Sequence, residues 1–322
     1  MTDDSTYEIY ADRKSHPRYL GLPTFMRADW KPELDGVEIG IVGVPYDGGV
    51  TNRPGTRHGP REVRNQSSLM RIVNQATGVK PYDLAAIADI GDAWAERPFD
   101  LGPAHEAIGR HFERIHAAGV IPLTCGGDHS ISLPILRVLG RDQRVGMIHI
   151  DAHADTGGDY SGSRFHHGAP FRVAVEEGVL DPKRVTQIGI RGSLYSADMW
   201  QFSYDSGMRV ILMEEFDDMG WKAAIEEAKR IAGDGPTYMS FDIDALDPSI
   251  APGTGTPETG GLTMREAQRM IRECHDVNLI GADMVEVSPP FDPSGVTALS
   301  GATIMFEQLC VLAQAVARRR KA

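Results

Sequence analysis

A wound α/β domain, with a mostly parallel sheet covered by helices on both faces, is the fold class the sequence predicts. Three observations predict it. Short Val- and Ile-rich runs bounded by Gly, Asp or Pro recur along the chain, stretches of helical periodicity alternate with them, and no long linker, low-complexity tract or internal repeat interrupts the rhythm. Strands buried on both faces read as continuous apolar runs of this kind. A βαβα order implies parallel pairing through helical crossovers.

Taken in order, the strands are expected at 37–44, 86–90, 121–124, 146–150, 185–190, 209–213, 236–241 and 279–287. Helical spacing of apolar residues marks 104–118, 133–139, 221–232, 263–274 and 304–320. The first thirty or so residues are polar and irregular. One domain over 1–322, with an irregular N-terminal extension of about 1–35, accounts for the pattern. Ligands in such sheets bind at the carboxyl ends of the strands.

Composition narrows the partners. A 41% share of hydrophobic residues is enough for a sizeable core, and a formal net charge of −12 argues against nucleic acid or an anionic membrane. That charge would suit a cationic substrate, although solubility explains it equally well. No window approaches 18 consecutive apolar residues, which argues against a transmembrane helix. The start, Met1-Thr2-Asp3-Asp4-Ser5, has neither the basic nor the apolar region of a secretory signal. Cys125, Cys274 and Cys310 are an odd number without metal-type spacing and read as small core residues in a reducing cytoplasm.

Three segments carry chemistry. Gly126-Gly127-Asp128-His129 follows the 121–124 strand, His149-Ile150-Asp151-Ala152-His153-Ala154-Asp155 closes the 146–150 strand, and Ser240-Phe241-Asp242-Ile243-Asp244-Ala245-Leu246-Asp247 closes the 236–241 strand. At a strand end, residues two and four apart point the same way, so Asp151, His153 and Asp155 can converge on one point. Asp242 and Asp244 share that spacing. With His129 they make two imidazoles and four carboxylates, a cluster that is electrostatically untenable without cations. Any one segment alone would read as a capped turn. All three after buried strands point to a metal centre. Six ligands are too many for one tetrahedral zinc and suit two ions about 3.5–4 Å apart. Oxygen-rich ligation favours Mn2+ and leaves Ni2+, Co2+ and Fe2+ open.

At these residues the sequence resembles the ureohydrolase family of arginase, agmatinase and guanidino-acid hydrolases. The resemblance runs from about Val42 to Cys310 and includes GGDH at 126–129, DAHAD at 151–155, SFDIDALDP at 240–248, PGTGTPETGGLT at 252–263 and EVSPP at 286–290. It implies a three-layer α/β/α sandwich around a parallel eight-stranded sheet. It implies one metal held by His129, Asp151, Asp155 and Asp242, and another by Asp151, His153, Asp242 and Asp244. The stretch 52–71, QIGIRGSLYS at 187–196 and Met213-Glu214-Glu215-Phe216 resemble the bacterial guanidinopropionase and guanidinobutyrase branch in particular. Members are often hexamers built from trimers, so a homo-oligomer is expected, with a hetero-oligomer of homologues as the alternative.

The reaction expected is hydrolysis of a guanidino compound to urea and an amine. The candidate catalytic groups are His167, Glu286 and Asp155. Glu286 would pair with the guanidinium in two-pronged fashion, and His167 would shuttle a proton to the leaving amine, with neighbouring His166 as its confounder. Asp128 and His149 would orient ligands. Asp247 would do the same or cap the turn before Pro248. In the loop 157–167, Arg164 would clamp a substrate carboxylate and Tyr160 would close the pocket, which favours 3-guanidinopropanoate or 4-guanidinobutanoate. Agmatine, arginine, guanidine and alkylated guanidines or biguanides, the last with nickel, are the alternatives. Two other classes compete: a non-catalytic partner subunit, disfavoured by an intact ligand set, and a single-zinc deacetylase, disfavoured by His153 and Asp244.

Overall fold

A computed structural model describes residues 17–321. Among them nine strands form one sheet in the order β1-β3-β2-β4-β9-β8-β5-β6-β7, and every pairing is parallel. The strands are β1 Asp29–Trp30, β2 Ile39–Gly43, β3 Ile87–Asp92, β4 Ile121–Cys125, β5 Val145–Ile150, β6 Leu180–Ile190, β7 Arg209–Leu212, β8 Thr237–Asp242 and β9 Leu279–Val285. Eight fall on the expected runs. The ninth, β1, is a two-residue exposed edge strand, too short and polar to leave an apolar run. It lies in the stretch expected to be irregular, whose residues 1–16 are outside the described ones.

Alternation along each strand feeds two cores. Ile39 and Ile41, Ile148 and Ile150, and Met239 and Phe241 face one way. There they pack with the helices Met213–Ala232, Met264–Glu273 and Val296–Arg319. Val42, Val145, Met147 and Tyr238 face the other way, against the helices Leu101–Ala117, Ser132–Leu139 and Pro170–Glu176. The sheet is therefore the middle of three layers.

Local signals set the helix ends. Thr263 and Glu266 form a reciprocal capping box that starts Met264–Glu273. Met213, expected as a strand end, opens a helix, and Gly220 (φ 76°) breaks that helix near its middle. Val296–Arg319 is long and apolar enough to cross a membrane, but most of it is buried in the core. Cys125, Cys274 and Cys310 are buried and unpaired.

Candidate functional site

Four neighbouring strands, β4, β9, β8 and β5, end at one place on the carboxyl edge of the sheet. β4 delivers Asp128 and His129, β9 delivers Glu286, β8 delivers Asp242 and Asp244, and β5 delivers Asp151, His153 and Asp155. The turn after β4 is locked to its neighbours: Gly126 N–H donates to Met284 O (2.8 Å), and Glu286 N–H donates to Gly127 O (2.9 Å). A β-carbon on Gly127 would lie 1.7 Å from Tyr46 O, so only glycine fits. Asp155 (φ 50°) and Glu286 (φ 65°) both sit in the left-handed region that side chains other than glycine avoid.

The acids and imidazoles meet in two groups. His129 Nδ1 lies 3.2 Å from Asp151 Oδ2, 2.9 Å from Asp155 Oδ2 and 3.3 Å from Asp242 Oδ2. His153 Nδ1 lies 3.1 Å from Asp244 Oδ2 and 3.6 Å from Asp151 Oδ1, so Asp151 belongs to both groups. His129, Asp151, Asp242 and Asp244 are buried, while the His153 side chain is 31% exposed and opens the cluster to solvent.

A hydrogen-bond argument tests whether this donor set fits cations. Ser240 Oγ gives its single proton to Asp283 Oδ1 (2.7 Å). It therefore accepts from His129 Nε2–H (2.8 Å), and in neutral His129 the Nδ1 lone pair faces three carboxylates. That arrangement suits a cation between them. Without one, protons must do the work. Burial opposes charge on His129 and His153, but their carboxylate partners push both well above the usual imidazole range. Burial, then the charges of Asp244 and Asp151, pushes Asp242 well above the usual carboxylate range. Divalent cations relieve all of these conflicts together, so the residues fit a metal centre.

Beside the cluster, Glu286 is buried. Its Oε1 accepts from His129 N–H (2.8 Å) and from His167 Nδ1 (2.8 Å). Its Oε2 is buried with no partner. A buried acceptor left free costs about 1–3 kcal/mol, and a β-carbon on Gly255 would lie 3.6 Å from this one. His167 is held at its other nitrogen by Thr51: Oγ1 is 2.8 Å from Nε2, and the Thr51 N–H donates at 3.2 Å. Burial would lower His167, but Glu286 outweighs it and raises it to about 9.

Further groups hold these in place. His149 Nδ1 accepts from the Gln187 amide (3.1 Å), which leaves Nε2–H to donate to Asp151 Oδ2 (2.7 Å). It thus orients Asp151 rather than offering a lone pair to an ion. Phe171 packs edge-on against both His129 and His149. Asp128 accepts from Ser130 N–H (2.9 Å) and Gly49 N–H (2.7 Å), fixing the turn that presents His129. Arg191, 7% exposed, makes hydrogen bonds only to carbonyls, among them Asp244 O (2.7 Å) and Glu258 O (2.7 Å). It joins the Asp244 turn to the 258–259 loop. Gln187, Arg191 and Ser240 lie inside quoted motifs that assign them no role, and Thr51, Phe171 and Asp283 lie outside every motif.

Two expected roles, those of Arg164 and Tyr160, do not match the geometry, and of the two roles expected for Asp247 one is found. Arg164 pairs with Glu176 on the surface, where Arg172 also reaches the same carboxylate at 2.9 Å, so its charge is already partnered away from the cluster. Tyr160 is 51% exposed, bridges to Ser163 and lies with its ring 5.7 Å from His166. Asp247 reaches no ligand and instead accepts from the amides of Ser249, Gly260 and Gly261, the turn-capping alternative. His166 is spent on its own loop, with Nε2 2.9 Å from Gly158 O, which leaves His167 as the imidazole beside Glu286.

Comparison with known proteins agrees with this geometry. Residues 37–310 match the arginase family. The chain is 54% identical over 308 residues to guanidinopropionase of Pseudomonas aeruginosa, covering 95% of this chain and 96% of the relative. It is 46% identical over 306 residues to guanidinobutyrase of the same organism, covering 94% and 96%. The solved structure of proclavaminate amidino hydrolase from Streptomyces clavuligerus superposes with a TM-score of 0.90 at 38% identity, covering 93% of this chain and all of that one.

Proposed function

This chain belongs to the arginase family, and from that premise we propose that it is an amidinohydrolase that cleaves a short guanidino acid, 3-guanidinopropanoate ahead of 4-guanidinobutanoate, to urea and the corresponding amine. The observation that carries this reading is Glu286 Oε2, a buried carboxylate oxygen without a partner beside a cluster of acids and imidazoles. A guanidinium N–H supplies the charge-assisted donor that this oxygen lacks.

Two divalent ions, Mn2+ by the oxygen-rich donor set, would be held by His129, Asp151, Asp155 and Asp242 on one side and by Asp151, His153, Asp242 and Asp244 on the other. When bound, they supply a nucleophilic water near neutral pH. Glu286 fixes the guanidinium carbon over the cluster, and its negative charge stays in place because His129 N–H and His167 hold Oε1. His167, raised by Glu286, holds a proton that it gives to the departing amine. Asp155, beside His129 at 2.9 Å, shapes the face on which the attack occurs.

Support for the acid substrate comes from the similarity to guanidinopropionase and guanidinobutyrase, not from Arg164, which is engaged by Glu176. Urea release measured over 3-guanidinopropanoate, 4-guanidinobutanoate, agmatine, arginine and dimethylbiguanide, with Mn2+ and with Ni2+, tests it. The highest kcat/KM should fall on 3-guanidinopropanoate with Mn2+. Faster release from the carboxylate-free compounds would overturn the substrate assignment.

A further inference from the structure

We propose that Thr51 relays protons between solvent and His167 Nε2. The inference rests on the reading of His167 as the acid for the leaving amine. His167 is 8% exposed and both ring nitrogens are engaged, Nδ1 by Glu286 and Nε2 by Thr51. Thr51 itself is exposed. The hydroxyl thus joins the largely buried ring to an exposed residue.

The contact is held in place. His167 N–H donates to Gly49 O (2.9 Å), and Gly49 N–H donates to Asp128 Oδ2 (2.7 Å), so residues 49–51 wrap the imidazole from a fixed anchor. A β-carbon on Gly49 would lie 2.7 Å from Ser130 Oγ, which keeps that segment seated. The Thr51 N–H can only donate and suits neutral His167. The Thr51 hydroxyl both donates and accepts, so it alone stays bonded to Nε2 in either protonation state.

The protons balance over a turnover. One leaves as the attacking water ionises: Nδ1, on the Glu286 side, takes it while Nε2–H passes to Thr51 Oγ and that oxygen releases its own proton to solvent. One enters as the amine departs: Nδ1–H passes to the amine while Thr51 Oγ–H passes to Nε2 and Oγ takes a proton from a buffer acid, which restores the starting tautomer. No bond to threonine other than O–H changes.

Thr51→Val and Thr51→Ser, compared with Thr51 in the metal-loaded enzyme at low buffer concentration, test the relay. Thr51→Val should lower kcat by about tenfold or more with little change in KM, enlarge the solvent deuterium isotope effect on kcat, and recover rate as imidazole buffer is added. Thr51→Ser should recover most of the rate. Thermal unfolding of the metal-free proteins should be alike. Wild-type kcat and isotope effect in Thr51→Val would overturn the relay, as would an equal, buffer-insensitive loss in both variants. His167→Asn separates the two ideas: if it retains full activity, the reading of His167 itself fails, whereas an inactive His167→Asn beside a fully active Thr51→Val refutes the relay alone.

Discussion

The ends of β4, β9, β8 and β5 and the loop 157–168 lie next to each other, yet they are built on opposite terms. At the strand ends the candidate ligands His129, Asp151, Asp242 and Asp244 are buried, and their orientations are fixed by Ser240, His149 and main-chain amides. In the loop, Tyr160 and Arg164 are exposed and bound to their own neighbours. Buried polar groups lose several kcal/mol when a partner goes, while exposed ion pairs are worth about 0–1 kcal/mol. The strand ends therefore fix the reaction, and the loop is free to change which molecule is presented to it.

Substitutions should sort by that contrast. Asp151→Ala or Asp242→Ala should abolish urea release, and calorimetry should show loss of both divalent ions, since the two proposed ligand sets share these acids. A variant that still turns over in excess chelator would break the two-ion reading. Glu286→Gln keeps shape and removes charge, so kcat/KM should fall by the worth of a charged hydrogen bond, about 2–3 kcal/mol or 30- to 150-fold, with metal content unchanged.

The same change should be visible without turnover. In the metal-free protein His167 should titrate near 9 by NMR and fall toward its ordinary 6.5 in Glu286→Gln. Because the pair raises the folded-state value, its stabilisation is complete below about pH 6.5 and is lost as pH rises through 9. A His167 that titrates identically in both proteins would show that Glu286 does not govern it.

Smaller effects sharpen the boundary. Arg191→Lys loses the planar fork that reaches several carbonyls at once. It should weaken the more weakly held ion by about 10- to 100-fold, read by metal titration, while an unchanged titration would confine Arg191 to the fold. Arg164→Ala should change kcat/KM for 3-guanidinopropanoate by no more than a few fold, because its ion pair is exposed. A tenfold shift between that substrate and agmatine would mean the loop closes on the substrate after all.

How much the sequence discloses follows from where each signal lives. Strand runs and the ligand spacing are local, so eight strands and six candidate ligand positions can be read along the chain. The groups that orient them are not local. Gln187 stands opposite His149 across β6 and β5, and Ser240 stands opposite Asp283 across β8 and β9. No periodicity announces such a register. A buried Asp283 inside an apolar strand was the available hint, since an unneutralised carboxylate there needs the donors it finds in Ser132, Tyr238 and Ser240. Helix starts hide for another reason. Residues 296–303 are mostly small, with Val296 and Leu299 the larger apolar ones, so their apolar stripe is weak, yet a β-carbon on Gly301 would lie 2.9 Å from the Met284 side chain, which shows how closely that helix packs on the sheet.

The left-handed backbone at Glu286 has a consequence for anyone redesigning the protein. Its conformation costs about 1–3 kcal/mol, which glycine would remove, but the same change would strip the His129 amide and His167 of the acceptor they share. The backbone saving and the side-chain loss oppose each other, so a screen for hardier variants gains little at position 286 and would discard the carboxylate proposed to receive the substrate.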